Sequence, residues 1–339
     1  MNNIEVLDCT LRDGGYINNW EFGISNIEYI INELTSANIE YIECGFINNI
    51  NSEYDLNQSL FKTFNDAEKL IKNPCKSKFA VMMLIDEYDI NKLPIYSNGL
   101  VNIIRLSFHK CDLNKAIDYA IKIKEKGYEL FFQPTVIMSY TENEIIDLLN
   151  LCNTTIKPDG VGMVDTLGEM KLHDIKRLTK LFDKYLDKTI KLGFHGHNNL
   201  QLAFGNAITF IENVDKDRSV VIDTSVMGMG RDAGNVCTEL MSSYLNNYYD
   251  KNYNFEKILQ IINDVILNFR KKFEWGYTPA FMLNANNRIH PNYGKLFRNQ
   301  IKNINLMEMN YLLNKIPLHE RDEFNKETAI SLLGEFIKK

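Results

Sequence analysis

The chain has 339 residues, 45% of them apolar and 24% charged, enough to bury one large core with an extension beside it. Its 38 basic and 44 acidic residues give a formal charge of −6, which disfavours nucleic acid in the absence of a basic stripe, and none is present. No apolar run approaches the ~18–20 residues that span a bilayer, the N-terminus lacks a signal-peptide pattern, and six cysteines lie scattered without CxxC spacing. A cytoplasmic protein in a reducing setting, with neither nucleic acid nor membrane as partner, is expected.

Eight short β-branched or apolar runs recur, at roughly 4–8, 40–46, 79–85, 101–107, 129–137, 160–164, 190–196 and 219–225. Helical spacing falls between them near 25–37, 59–72, 112–126, 142–152, 172–184 and 199–213, and again at 234–249. Thr141 stands three positions before Glu144 at the opening of one such run, a capping-box spacing. The pattern is that of repeated βα units. Eight units suit a closed (β/α)₈ barrel over residues 1–250, although a doubly wound open sheet would give similar local signals. After about residue 250 the rhythm changes to a helix near 254–273, a loop with aromatics and prolines from Phe273 to Tyr293, and polar helices to the end. Residues 251–339 therefore read as a C-terminal helical extension packed on the barrel.

The unusual residues collect at the strand ends that form the active face of such a barrel. Asp8 to Tyr16 (DCTLRDGGY) follows the first strand, Gly193 to Asn199 (GFHGHNN) covers the seventh, and Gly228 to Asn235 (GMGRDAGN) follows the eighth. Residues i and i+2 of a strand share a face, so His195 and His197 project together. Such a pair is either a hydrogen-bonded structural feature or part of a metal site. Asp13 from another strand and Asn235 from a glycine-rich loop would complete a mixed N/O donor set suited to Mn²⁺, Mg²⁺ or Zn²⁺. Arg12, beside Asp13, is either that carboxylate's ion-pair partner or an electrophile that holds a developing oxyanion; the two roles are compatible.

Asp8 to Gly14, Glu43-Cys44-Gly45-Phe46, Asp165-Thr166-Leu167-Gly168, Phe194 to Asn198 and Gly228 to Asn235 together resemble the signature segments of the HMG-CoA-lyase-like metal-dependent superfamily. The resemblance covers about residues 4–250 in the family's order. It is nearest to the 4-hydroxy-2-oxoacid aldolases, partly because Val101 to His109 (VNIIRLSFH) resembles their fourth βα unit. It implies a divalent-metal-dependent aldolase or lyase that makes or breaks a carbon–carbon bond through a pyruvate-type enolate, with a 2-oxo acid and an aldehyde as substrates. Asp13, His195, His197 and, in some branches, Asn235 would be metal ligands, and Arg12 would stabilise the enolate. Glu43, Arg105 and Asp165 match barrel-mouth positions that would contact substrate or orient ligands, with structural support behind the site as the alternative. Dimers are common in the family, so a homodimer is an implied assembly.

One departure stands out. Where the aldolases carry a histidine base after the Arg-Asp-Gly segment, this chain has Tyr16, whose ordinary pKa near ~10 suits neither a resting base nor neutral pH without help. His290, in the extension, is a second candidate for proton transfer, and Tyr277 in the Trp275–Pro279 segment is a candidate substrate contact; a structural plug over the barrel is the alternative for this stretch. The aromatics suit a hydroxylated, sugar-like aldehyde, and no basic cluster demands a phosphate. An acyl-CoA-dependent Claisen-type synthase is the competing enzyme reading, and a catalytically silent metal-binding barrel the competing reading from another class.

Overall fold

The computed structural model describes residues 3–50, 55–74, 76–301 and 304–337. Its eight principal strands are β1 (Ile4–Asp8), β2 (Tyr41–Ile47), β3 (Lys78–Leu84), β4 (Val101–Phe108), β5 (Glu129–Pro134), β6 (Gly160–Asp165), β7 (Lys191–Gly196) and β8 (Val220–Thr224). Each pairs in parallel with its neighbours in sequence, and β1 pairs with both β2 and β8, so the sheet closes into a (β/α)₈ barrel. Closure decides between the two architectures compatible with the βα rhythm, and it removes every long sheet edge.

Alternation along the strands sets which residues reach the interior. In β4, Ile104 and Leu106 join the large cluster packed beneath the helices, whereas Ile103 belongs to a small cluster with Leu7, Tyr41, Ala80, Phe131 and Val221 that plugs the barrel. Arg105 and Ser107 share the inward face of Ile103 and lie nearer the C-terminal end. The outer layer includes helices Ile24–Ser36, Leu113–Glu125, Glu142–Leu151, Leu172–Tyr185, Ala203–Asn213 and Thr238–Tyr248. The capping box at Thr141 and Glu144 is present, with the Thr141 hydroxyl accepting from the Glu144 amide at 3.3 Å.

Two spans differ from expectation. The helix expected over 59–72 is replaced by the strand Leu60–Phe61 and a short helix, Phe64–Glu68. The cause lies in β2: Gly45 has φ +152°, the register slips between Glu43 and Phe46, and a side chain at Gly45 would meet the Ser59 carbonyl at 2.0 Å. The bulge turns the Phe46 amide toward the Ser59 carbonyl (3.1 Å) and draws the segment after Ser59 into the sheet. The stretch Phe273–Tyr293, expected as a loop, contains helix Pro279–Asn286 and the start of helix Pro291–Gln300. Its prolines occupy first-turn positions, where a missing N–H costs nothing; Thr278 and His290 are the N-caps.

The helical region from Phe255 to Arg270 buries Ile258, Ile261, Val265 and Ile266 in the main barrel cluster, and Trp275 joins them. Beyond it, Ala280, Ile289, Tyr293, Phe297, Leu312, Leu313 and neighbours form a separate small core. This second unit sits over the C-terminal mouth of the barrel, where Glu169 pairs with Arg288 (3.1 Å). No helix among the described residues is long and apolar enough to cross a membrane.

Candidate active site

The first strand ends in a rigid turn. Asp8 accepts from the Thr10 amide (2.9 Å) and the Thr238 hydroxyl (2.6 Å), and burial pushes its carboxyl up to about 6. The chain then forms the one-turn helix Thr10–Asp13, whose carbonyls are held from outside: the Ser59 hydroxyl donates to Leu11 (2.6 Å) and the Trp20 indole to Arg12 (2.8 Å). Arg12 and Asp13 are thereby fixed at the barrel mouth, both buried.

Arg12 donates through Nε to Glu43 (2.7 Å) and through Nη1 to Asp13 (2.5 Å). Glu43 also faces Arg105 (3.1 Å), which in turn pairs with Asp223. Two guanidinium groups and three carboxylates thus alternate around the barrel wall. Such a buried network is expensive to desolvate and is held by mutual pairing, so removing one member leaves an uncompensated charge. Burial works against the Asp223 carboxylate, yet Arg105 and His195 keep it below the ordinary range. Burial also opposes Asp13, and Arg12 with the two imidazoles holds it well below that range.

The histidine tautomers follow from their partners. His195 Nδ1 lies 3.0 Å from the Asp223 carboxylate, which can only accept, so Nδ1 carries the proton. His197 Nδ1 lies 3.3 Å from the Arg231 carbonyl, with the same consequence, and burial pushes this imidazole down to about 3, keeping it neutral. The two Nε2 atoms face each other at 3.3 Å. Two imidazole lone pairs at this distance need a positive centre between them, either a proton that makes the contact a hydrogen bond or a metal ion, and imidazoles ~2.1 Å from one ion in neighbouring positions have this kind of separation. A carboxylate oxygen of Asp13 lies within 4.8 Å of both. Asn235 donates through Nδ2 to Asp13 (2.6 Å) and leaves its buried Oδ1 without a partner. A donor set of two neutral imidazoles, a carboxylate and an orphaned amide oxygen fits a divalent metal ion. Gly230 keeps this space open: a Cβ there would stand 2.3 Å from Asn235 Nδ2 and 2.6 Å from Asp13 Oδ2.

Arg12, Asp13, Tyr16, Arg105, His195 and His197 line one cavity of about 80 Å³. Tyr16 stands at its rim, packed edge-on to Trp20 and Phe46, with the Arg231 guanidinium 5.8 Å from its ring centre. Tyr16 is 37% exposed, yet desolvation of its packed side holds the phenol above its ordinary value despite the cations of Arg231 and Arg12. His290 lies farther out, in a second cavity that shares Tyr16 and Arg231 with the first. Its Nδ1 accepts from the Asn292 amide (3.3 Å), so its Nε2 carries the proton; burial pushes the imidazole down to about 3. A neutral imidazole so arranged is a donor and not a base toward the cavity.

Two candidates lie elsewhere. Asp165 accepts from the amides of Glu169 (2.9 Å) and Met170 (3.1 Å), tying the loop after β6, and burial pushes it up to about 8. It is not among the residues that line either cavity, and neither is Tyr277, which is exposed. Sequence reasoning passed over Asp223 and Arg231. Asp223 gave a signal, as a lone carboxylate inside the apolar β8 run; Arg231 lay within a quoted motif and received no role.

A closed parallel barrel with buried ionisable groups converging at its C-terminal mouth is the framework of a (β/α)₈ enzyme. The chain belongs to the HMGL-like family, whose model matches residues 3–265. Among curated relatives it is 28% identical over 248 residues to 4-hydroxy-2-oxovalerate aldolase of Geobacillus thermodenitrificans, covering 72% of this chain and 69% of that protein. It is 23% identical over 265 residues to the Bacillus thuringiensis protein of the same name, covering 78% and 76%. Among solved structures, the N-terminal domain of a Bacteroides vulgatus protein assigned as an aldolase superposes with a TM-score of 0.77 at 30% identity, covering 88% of this chain and 98% of that one. HMG-CoA lyase of Brucella melitensis shares the fold at 13% identity with a TM-score of 0.60, covering 80% and 100%. The protein is an enzyme of the aldolase and lyase kind.

Proposed function

We propose that this enzyme is a divalent-metal-dependent aldolase acting through a pyruvate-type enolate, as its similarity to proteins named 4-hydroxy-2-oxovalerate aldolase suggests. The observation that carries this reading is the convergence of two imidazole Nε2 atoms, 3.3 Å apart, with the Asp13 carboxylate, to which Arg12 is bonded. Asp13, His195, His197 and Asn235 would hold the ion. When bound, the ion supplies a Lewis acid that draws electron density from the 2-oxo group of the substrate.

The chain's own residues do the rest. Arg12, locked between Glu43 and Asp13, presents a fixed positive charge to the oxygen that becomes negative as the enolate forms. Tyr16, protonated at neutral pH, gives its proton to the aldehyde oxygen as the new carbon–carbon bond forms. Cleavage runs the same path backward, with Tyr16 taking that proton from the 4-hydroxyl; the C3 proton that pyruvate loses on forming the enolate passes to solvent and returns from it when pyruvate is released. Arg105 and Glu43 orient these groups. The test is exchange of the pyruvate methyl protons with deuterated solvent, followed by NMR with Mn²⁺ present. Exchange that depends on Mn²⁺ and is lost in His195→Ala is expected; equal exchange by that variant, or none by the wild type, would overturn the reading.

A further inference from the structure

The 80 Å³ cavity beside His195 and His197 shares Tyr16 and Arg231 with a second one of about 680 Å³, lined by residues of the barrel mouth and of the C-terminal helices. No run in the sequence marks this vestibule as basic, because its charges come from three separate places. Arg231 follows β8, Lys272 follows the helical region ending at Arg270, and Lys295 and Arg298 stand one turn apart on helix Pro291–Gln300. Among the described residues, Lys272, Lys295 and Arg298 take part in no ion pair. Only Asp232 and Glu274 oppose these four cations within the lining, in a chain whose overall charge is −6. The same wall offers neutral polar groups: Asn284 is 1% exposed, donates to the Pro291 carbonyl (3.4 Å) and leaves Oδ1 without a partner. Gly294 lets this amide sit there, since a Cβ on it would come within 2.7 Å of both Asn284 amide atoms.

From this arrangement we infer that the aldehyde partner is a hydroxylated phosphate monoester, its carbonyl at Tyr16, its hydroxyls along Asn284 and its phosphate among Lys272, Lys295 and Arg298. The inference rests on the aldol reading above and adds the substrate class. A phosphate dianion would meet several cations in a cavity that borders, at Tyr16 and Arg231, the one that would hold the reacting carbons. The phosphate is unchanged by the reaction: one C3–H bond of pyruvate breaks, a bond from C3 to the aldehyde carbon forms, and the proton lost from C3 to solvent is balanced by the one the aldehyde oxygen gains from Tyr16.

The experiment compares aldol formation from pyruvate, with Mn²⁺, using glyceraldehyde against glyceraldehyde 3-phosphate and erythrose against erythrose 4-phosphate. The full-length wild type is expected to favour the phosphorylated member of each pair by about tenfold or more in kcat/KM, and the Lys295→Glu/Arg298→Glu variant to lose that preference. Both residues are exposed, so the variant should fold, which circular dichroism checks. In parallel, calorimetric titration of the metal-free chain with inorganic phosphate should give saturable, salt-sensitive binding that the variant lacks. Equal use of both aldehydes, a preference that survives charge reversal, or charge-dependent binding of coenzyme A with no preference for phosphorylated aldehydes would overturn the inference. Pyruvate methyl exchange needs no aldehyde. If it occurs without a phosphate preference, the substrate class alone falls; if it is absent, the aldol reading falls and the phosphate titration alone decides the vestibule.

Discussion

Asp223 Oδ2 lies 3.0 Å from Nδ1 of His195, across two neighbouring strands of the barrel, and the same carboxylate pairs with Arg105. One residue therefore fixes an imidazole tautomer and links it to the charge network that holds Arg12.

Asp223→Asn is expected to weaken Mn²⁺ binding by about 10- to 100-fold, because the amide no longer forces the proton onto Nδ1 and leaves Arg105 with one carboxylate fewer. Calorimetric titration with Mn²⁺ measures this directly. An affinity equal to wild type would mean that His195 is oriented by packing alone.

Gly230→Ala tests whether the space beside Asp13 and Asn235 is functional. Its methyl group would sit 2.3 Å from Asn235 Nδ2, closer than any stable contact, so Asn235 or Asp13 must shift. Mn²⁺ affinity and turnover should each fall by at least about tenfold, as misplacement of a reacting group by an ångström predicts. Thermal unfolding should move much less than in a large-to-small core change, and a protein that binds Mn²⁺ normally would refute the assignment of this space.

The barrel was legible because β-branched runs and helical periodicity agree with each other along most of the chain. Local agreement failed at 59–72, where apolar spacing suited a helix but the bulge at Gly45 offered Ser59 and Phe61 backbone partners in the sheet. Pro279 and Pro291 misled in the opposite direction, since proline marks a helix start as readily as a loop. At the site, Asp13, His195, His197 and Arg12 could be named from their motifs. Asp223 could not be ranked, because its meaning comes from contact with His195, and the vestibule cations could not be grouped, because only folding brings Arg231, Lys272 and Lys295 together.

Stability should carry the mark of Asp165 and Glu169, whose carboxyls burial pushes up to about 8 and about 7. A carboxyl whose folded pKa lies above its unfolded value binds its proton more tightly when folded. Its contribution is complete below pH ~4, where the unfolded group is also protonated, and is lost as pH rises through the folded value. The unfolding free energy should therefore decline between about pH 5 and 8, and the decline should be shallower in Asp165→Asn. Denaturant unfolding at pH 5, 6, 7 and 8 provides the slope; identical slopes in both proteins would remove Asp165 as its source.

Tyr16 ties the proposed reaction to pH. With its pKa held above the ordinary phenol value, only a small fraction of it is ionised at neutral pH. Cleavage of a 4-hydroxy-2-oxo acid needs the ionised phenol, so its kcat/KM should rise about tenfold per pH unit between about pH 7 and 9, and condensation should share that slope, because the overall reaction takes up and releases no net proton. Tyr16→Phe should lose about 10²- to 10⁴-fold in kcat in both directions and abolish the rise. If the slope persists in Tyr16→Phe, a group other than Tyr16 moves the proton and its assignment as the base falls; His290 would not account for such a slope, because its imidazole is held down to about 3.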